Sequence, residues 1–291
     1  RGFMWFCTRD GLSRFDGSRF ITFRIGDENA PPGIENIYET REGTYYVTTT
    51  GGTYKFEPDD LTTPLFGVAK LNATLVSGWR GDLLQDRNGV FWMGSGSLFR
   101  REIRDGKDLW VAVDLGIPPV PGTTFVIYDL AETPDGSLWV HNTCGLLRML
   151  PDGRKINYPH GRYVTAGATA MMADRSGRIW LTRGGELLAL KPEATDQIQG
   201  SGPLIERDLT PTETVPVEVG RLLKMPSAGG QVIKYVNPEL IGKWVTKKLF
   251  QSSDGDIWIS AENTLLHIAD GVVELLTDAQ GLPTVMARMA E

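Results

Sequence analysis

The chain consists of short apolar stretches that alternate with turns rich in Gly, Asp and Asn. Residues 125–130 form one such stretch, and the turn at residues 134–136 separates it from a second stretch around Trp139. Asp-Gly and Asn-Gly pairs favour the positive φ angles of tight hairpin turns. No long window shows the 3.6-residue period of an amphipathic helix. The pattern therefore predicts short antiparallel strands and an all-β fold.

One motif recurs along the chain: glycine, any residue, an apolar residue and an aromatic residue. We call its aromatic position the anchor. Anchors recur at intervals of 41 to 47 residues, with one interval of 78 that is close to two periods. Each copy contains four predicted strands, which is typical of a β-propeller blade. Six anchors are explicit and a seventh is expected near Leu223, which gives Trp5, Tyr46, Trp92, Trp139, Trp180, Leu223 and Trp258.

We therefore predict a single domain over residues 1–291, a seven-bladed β-propeller of four-stranded antiparallel blades whose anchors pack between neighbouring blades. The chain begins inside an anchor strand and ends with an apolar segment like the first strand of another copy. Pairing of the C-terminal strand with the N-terminal blade is predicted to close the ring. The abrupt start indicates a segment of a longer protein. Residues 191–245 fit the repeat poorly, and the alternative is a six-bladed ring with a long insertion there.

Composition and charge narrow the classes of function. The 291 residues include 34 Gly and eight Trp, and the net charge is −6. Because nothing offers a basic face, no nucleic-acid partner is expected. No apolar run reaches about 18 residues, so this segment is predicted not to contact a membrane.

The residue types that usually carry chemistry form no recognisable constellation. Cys7 and Cys144 match neither a disulfide framework nor a metal knuckle, and His141, His160 and His267 lie in separate copies. The chain also lacks a phosphate-binding loop and a nucleophile elbow. We expect no catalytic residue, no metal and no cofactor.

Several copies resemble the repeat of the two-component regulator propeller family. The resemblance is found in residues 5–17, 171–182 and 249–260 and in the Gly-Leu-x-Arg motif. In addition, the segment at residues 278–283 is similar to the segment that joins repeats in that family. It covers six copies and fails around 205–240.

This resemblance implies a ligand sensor that is not itself an enzyme. Such propellers form the periplasmic or extracellular portion of membrane-bound histidine kinases, hybrid two-component systems or diguanylate cyclases. The expected partners are the adjacent domains of the parent sensor and a second copy of the chain.

A ligand is expected at the channel mouth, where loops enter the innermost strands and are free of the repeat's packing. Aromatic and charged residues there suit a carbohydrate or a small anion, through ring stacking and charge-assisted hydrogen bonds. The candidates are Tyr38, Trp79, Arg80, Asp82, Tyr128, Trp244, Lys247 and Arg288.

Two other functions fit the same fold. A propeller enzyme acting on glycans, a hydrolase or a lyase, would place paired carboxylates about 5–9.5 Å apart at the channel mouth if it were a hydrolase. A passive interaction scaffold would instead present a flat apolar surface.

Overall fold

A computed structural model describes the residues in the ranges 4–7, 11–15, 20–25, 33–56, 69–70, 73–77, 81–105, 107–119, 121–159, 170–183, 186–200, 202–236, 248–261 and 264–276. All of their regular structure is β-strand, arranged in six sheets. The all-β class and the propeller fold are confirmed. The segment proposed to close the ring, residues 282–291, lies outside the described residues.

The first compact unit, whose described residues lie between 4 and 113, contains three sheets, and strands are numbered in chain order. Sheet 1 consists of β1 (Met4–Cys7), β2 (Leu12–Phe15), β3 (Phe20–Arg24) and β7 (Ala69–Lys70). Sheet 2 consists of β4 (Ile34–Glu39), β5 (Tyr45–Thr49), β6 (Gly52–Phe56) and β8 (Ala73–Ser77). Sheet 3 consists of β9 (Asp82–Gln85), β10 (Phe91–Gly94), β11 (Leu98–Arg104) and β12 (Lys107–Val113).

The second compact unit, Asp114–Met286, contains the other three sheets. Sheet 4 consists of β13 (Ile127–Glu132), β14 (Leu138–Asn142), β15 (Gly145–Met149), β16 (Lys155–Pro159) and β20 (Ile205–Glu206). Sheet 5 consists of β17 (Ala170–Ala173), β18 (Ile179–Arg183), β19 (Glu186–Lys191), β22 (Gln231–Val236) and, at its outer edge, β21 (Glu213–Pro216). Sheet 6 consists of β23 (Lys248–Gln251), β24 (Ile257–Ala261), β25 (Thr264–Ala269) and β26 (Val272–Leu276).

The prediction of seven four-stranded antiparallel blades is wrong. The described residues form six sheets, two of them five-stranded, and β7, β20 and β21 each pair in parallel with the neighbouring strand. Leu223, the expected anchor of a further blade, lies in a loop whose backbone bonds to the turn before β26. The interval of 78 residues therefore holds an insertion between β19 and β22, as the alternative prediction had it for this stretch.

This insertion, residues 192–230, is called the strap. It adds β20 to the outer edge of sheet 4 and β21 to the outer edge of sheet 5, and Leu222 then forms a bridge with Val272 of sheet 6. Arg148 donates a hydrogen bond to the Glu193 carbonyl oxygen, which ties the start of the strap to sheet 4. Because an uncovered edge strand leaves backbone groups unpaired, the strap covers three edges that could otherwise pair with other chains.

Each compact unit has its core between neighbouring sheets. Trp139 packs in the apolar cluster between sheets 4 and 5, and Trp180 in the cluster between sheets 5 and 6; neither has any exposed surface. Tyr46 packs in the same way between sheets 2 and 3. Trp92 and Trp258 are half-buried. The predicted packing role is confirmed for the three buried anchors.

A five-residue turn precedes the anchor strand in sheets 2 to 6, and it begins six residues before the anchor. In each turn the amide of the fourth residue, a glycine at a φ of 80° to 104°, donates to the carbonyl oxygen of the first residue. The side chains of Asp86, Thr133 and Asp174 also accept the indole N–H of their anchor at 2.9 to 3.0 Å. The first residues of the five turns are Thr40, Asp86, Thr133, Asp174 and Ser252.

Candidate functional site

The inner strands β4 and β13 contain the same irregularity near their first residue. The register shifts between Ile34 and Asn36 in β4, and between Ile127 and Asp129 in β13. The residues in the bulges, Glu35 and Tyr128, are therefore equivalent, each eleven positions before its anchor. Because a bulge turns a side chain away from the regular alternation of the strand, this position is available for contacts other than packing.

Tyr128 lies beside a polar loop in the second unit. Its hydroxyl oxygen lies 3.5 Å from Oγ1 of Thr143, in the loop between β14 and β15. That loop is fixed to the chain leading into β13, because the Thr143 amide donates to the Val126 carbonyl oxygen and the Val126 amide donates to Thr143 Oγ1, both at 2.9 Å. The half-buried tyrosine ring and the threonine hydroxyl thus lie side by side, and the loop that carries the hydroxyl is held by hydrogen bonds within the chain.

A histidine–aspartate pair, His141 and Asp129, packs beside Tyr128. His141 is fully buried, its ring centroid is 5.3 Å from that of Tyr128, and its Nδ1 lies 3.4 Å from Oδ2 of Asp129. The same carboxylate oxygen accepts the Met171 amide of β17 at 3.1 Å, so Asp129 also joins sheet 4 to sheet 5. The pair orients the site, whereas Tyr128 and Thr143 present the more accessible surface.

Cys144, beside Thr143, is not prepared for nucleophilic chemistry. Burial raises the pKa of its thiol above the ordinary value. A thiol with a raised pKa is a weak nucleophile near neutral pH, because the thiolate is the reactive form.

The first unit carries a related cluster at the beginning of its inner strands. Asn36 donates from Nδ2 to Oδ1 of Asp82 at 3.0 Å, and both residues lie ten positions before their anchors, as Asp129 does. Because Asn36 belongs to β4 and Asp82 to β9, this side-chain bond joins sheets 2 and 3.

Tyr38 also joins sheets 2 and 3, by a different contact. Its hydroxyl accepts the Gln85 amide at 2.8 Å, and its ring centroid lies 5.4 Å from that of Phe91. Burial raises the pKa of Tyr38, although the hydrogen bond from Gln85 acts in the opposite direction. The tyrosine hydroxyl is thus engaged by the backbone of the neighbouring inner strand.

Three of the eight predicted ligand contacts fall on described residues, and their role in ligand binding stays a prediction. Asp82 begins β9 and Tyr38 lies near the end of β4, both in the first unit, whereas Tyr128 occupies the bulge in the second. Five candidates lie outside the described residues, and their role stays a prediction: Trp79, Arg80, Trp244, Lys247 and Arg288.

Sequence reasoning missed Glu35, Asn36, Asp129, His141 and Thr143. The signal that could have found four of them is their fixed offset from the anchor: eleven residues before it for Glu35, ten for Asn36 and Asp129, and two after it for His141. Thr143 becomes visible only through its hydrogen bonds to Val126.

Two further properties concern only the part of the chain that the structure describes. It contains no group of three or more His, Cys, Asp or Glu side chains that could hold a metal ion. It also contains no helix that is both long and apolar enough to cross a membrane.

No protein-family model matches the chain, and no curated protein matches its sequence. Among solved structures, the chain is similar to the extracellular domains of two hybrid two-component systems from Bacteroides thetaiotaomicron. One has a TM-score of 0.64 at 12% identity and the other 0.60 at 14%, covering 98% and 95% of this chain. Since only 34% of each of those domains is covered, the chain spans about a third of their length.

The chain is also similar to virginiamycin B lyase from Staphylococcus aureus. The TM-score is 0.57 at 10% identity, over 92% of this chain and 78% of the lyase. At such identities a likeness shows the fold alone. The chain therefore has a propeller fold that occurs both in extracellular domains of two-component sensors and in a lyase.

Proposed function

We propose that this chain is an extracytoplasmic ligand-sensing propeller of a two-component sensor, a histidine kinase or hybrid regulator. The observation that carries the proposal is the match of nearly the whole chain to about a third of two extracellular sensor domains. The resemblance of six copies to the two-component regulator propeller repeat supports the same function. In this proposal the chain is not an enzyme, and its partners are the adjacent domains of the sensor and a second copy.

The proposed binding position is the bulge of β13. Tyr128 offers an aromatic ring, and Thr143 offers a hydroxyl group fixed by the chain that leads into the strand. An aromatic ring beside a fixed hydroxyl suits a carbohydrate, which presents apolar C–H faces and hydroxyl groups together. A small anion is the other predicted ligand, and its cationic contacts would be Arg80, Lys247 and Arg288.

The test is a calorimetric titration of the 291-residue chain with xylo-oligosaccharides, malto-oligosaccharides and inorganic phosphate, after a thermal-shift screen. A saccharide is expected to bind, and Tyr128→Ala is expected to weaken binding at least about tenfold, as loss of a ring contact worth about 1.4 kcal/mol would. Thr210→Ala, at an exposed threonine of the strap, is the matched control and should bind like the wild type. Binding that survives Tyr128→Ala would place the site elsewhere, and a screen without any ligand would contradict the sensor proposal.

A second candidate function, a lyase, is favoured by the likeness to virginiamycin B lyase and by the Asp129–His141 pair beside Tyr128. It predicts that the chain consumes virginiamycin B and that Asp129→Asn abolishes turnover. The sensor proposal predicts no turnover. Mass spectrometry of the antibiotic after incubation with each protein distinguishes the two functions.

A further inference from the structure

In five of the six described sheets a basic residue pairs with the anchor, on the strand that follows the anchor strand in the chain. The strand registers pair Trp5 with Arg14, Tyr46 with Lys55, Trp92 with Arg100, Trp139 with Arg148 and Trp258 with His267; in sheet 5 the partner of Trp180 is Ala189. Arg and Lys keep their charge at every physiological pH, whereas histidine changes its charge between about pH 5 and 8. Sheet 6 is therefore the one among the six described sheets whose cation depends on pH.

His267 connects three parts of sheet 6. Its ring stacks on Trp258 with 3.8 Å between centroids and an interplanar angle of 15°. Its Nε2 lies 2.7 Å from Oδ2 of Asp256, in the turn before β24, and its Nδ1 lies 3.1 Å from Oε2 of Glu274 on β26. Both ring nitrogens thus face a carboxylate. Only the protonated ring can donate to both, because a neutral imidazole has a single N–H.

The two carboxylates that contact His267 favour its protonated form. Asp256 and Glu274 face it directly, Asp254 lies in the same turn, and Arg175 of sheet 5 binds that turn through the carbonyl oxygens of residues 252 and 253. Burial alone would lower the pKa of His267, but the hydrogen bonds to Asp256 and Glu274 outweigh it and raise the pKa.

We propose that His267 is a pH-dependent clamp that joins the turn at residues 252–256 to the outer strand β26. When protonated, it holds both carboxylates at once. When it loses its proton, one ring nitrogen faces a carboxylate without a hydrogen to donate, and that contact becomes repulsive. Release at Glu274 weakens β26, which also holds the strap, because the Gly220 amide donates a hydrogen bond to the Val273 carbonyl oxygen.

The direction of the pH effect follows from linkage. A group whose pKa is higher in the folded state stabilises the fold fully below its unfolded pKa, and this contribution is lost as the pH rises through its folded pKa. The clamp is thus closed at mildly acidic pH and opens at alkaline pH. It does not depend on the proposed ligand.

The test compares the full 291-residue wild type with His267→Gln and His267→Arg, the latter carrying the cation that other sheets use. Melting temperatures are measured across the range of about pH 5 to 8 in which histidine titrates. Between the acidic and the alkaline end of this range, the melting temperature of the wild type is expected to fall by about 2–4 °C more than that of His267→Arg. A shift of this size is typical of a modest destabilisation in large domains. His267→Gln should be less stable at acidic pH and lack this pH dependence. Equal pH dependence in all three proteins would overturn the proposal.

A second readout does not depend on the stability of a variant. The imidazole resonance that is absent from His267→Arg is followed in the wild type by NMR and should titrate above 6.5, the ordinary histidine value. Glu274→Gln should lower this midpoint, whereas Asp152→Asn, at an exposed carboxylate in sheet 4, should leave it unchanged. A wild-type midpoint at or below 6.5, or an unchanged midpoint in Glu274→Gln, would contradict the clamp.

Discussion

Replacing Arg148 by methionine tests how the strap is held to its sheet. Arg148 is 1% exposed, and its guanidinium donates from Nε to Ser137 Oγ at 3.0 Å, from Nη1 to the Glu193 carbonyl oxygen at 2.8 Å, and from Nη2 to Asp135. It also lies 5.4 Å from the centre of the Trp139 ring. Methionine preserves much of the apolar volume but leaves the Asp135 carboxylate without its counter-ion.

We expect Arg148→Met to lower the free energy of unfolding by about 2–4 kcal/mol, because it removes hydrogen bonds made by a buried charged donor, although the Asp135 side chain that it pairs with is 33% exposed. Urea denaturation measures this loss. Because the Glu193 carbonyl also loses its donor, limited proteolysis followed by mass spectrometry should show faster cleavage within residues 192–230.

Arg154→Met is the matched control. Arg154 also donates to strap carbonyl oxygens, those of Thr195 and Ile198, but its side chain is 35% exposed and bonds to the exposed Asp152. Its loss should cost about 1 kcal/mol or less, as expected for an exposed pair. If Arg148→Met cost no more than Arg154→Met, or left the cleavage rate of the strap unchanged, the buried network could not be what anchors the strap.

Three further predictions test the packing and the turns. Trp139→Ala should lower the free energy of unfolding, measured by urea denaturation, by about 3–5 kcal/mol, because Trp139 is fully buried. Trp92→Ala should lower it clearly less, because Trp92 is half-buried, and equal losses would contradict this packing. Asp174→Ala removes the acceptor of an anchor indole and of two turn amides, and should lower the free energy of unfolding by about 2–4 kcal/mol. Asp152→Ala, at an exposed turn, should lower it by less than about 1 kcal/mol. A difference within error would show that the turn carboxylate is dispensable. Burial would raise the pKa of Asp135, but hydrogen bonds from Thr133 and Ser137 and the charge of Arg148 lower it to about 2. The ionised Asp135 carboxylate therefore stabilises the fold above its ordinary pKa of 3.8, and this contribution is lost as the pH falls through 2. Acid denaturation of Asp135→Asn should lack this component, and an unchanged acid transition would refute it.

The repeat itself could be predicted from the sequence because each blade repeats the same local rules. The anchor, the glycine three residues before it and the turn between strands are all encoded within about ten residues. Tyr46, Trp139 and Trp180 accordingly occupy the expected places between sheets. Local chemistry that recurs in phase gives a reliable prediction of the strands.

The number of blades could not be obtained in the same way. An interval of 78 residues is compatible with either a degenerate blade or an insertion, and length alone does not separate them. The strap is held by parallel edge pairing of β20 and β21 and by arginine contacts to carbonyl oxygens. Because these contacts join residues that are far apart in the chain, no local sequence motif predicts them.

The candidate site was predicted only in part for a related reason. Tyr128 was identified because it departs from the repeat near the start of an inner strand. The position of its side chain depends on a bulge, and its neighbours Thr143 and His141 come from the following strand and loop. A shift of register by one residue changes which side chains meet, and that shift is a property of the paired strands together.

Hydrogen exchange with mass spectrometry, with and without the saccharide found in the binding screen, tests the central claim most directly. If the chain is a sensor propeller that binds its ligand at the bulge of β13, added ligand should slow exchange in residues 126–129 and 142–144. Tyr128→Ala should abolish that protection. Protection confined to other segments, or exchange that ligand leaves unchanged throughout the chain, would contradict the account.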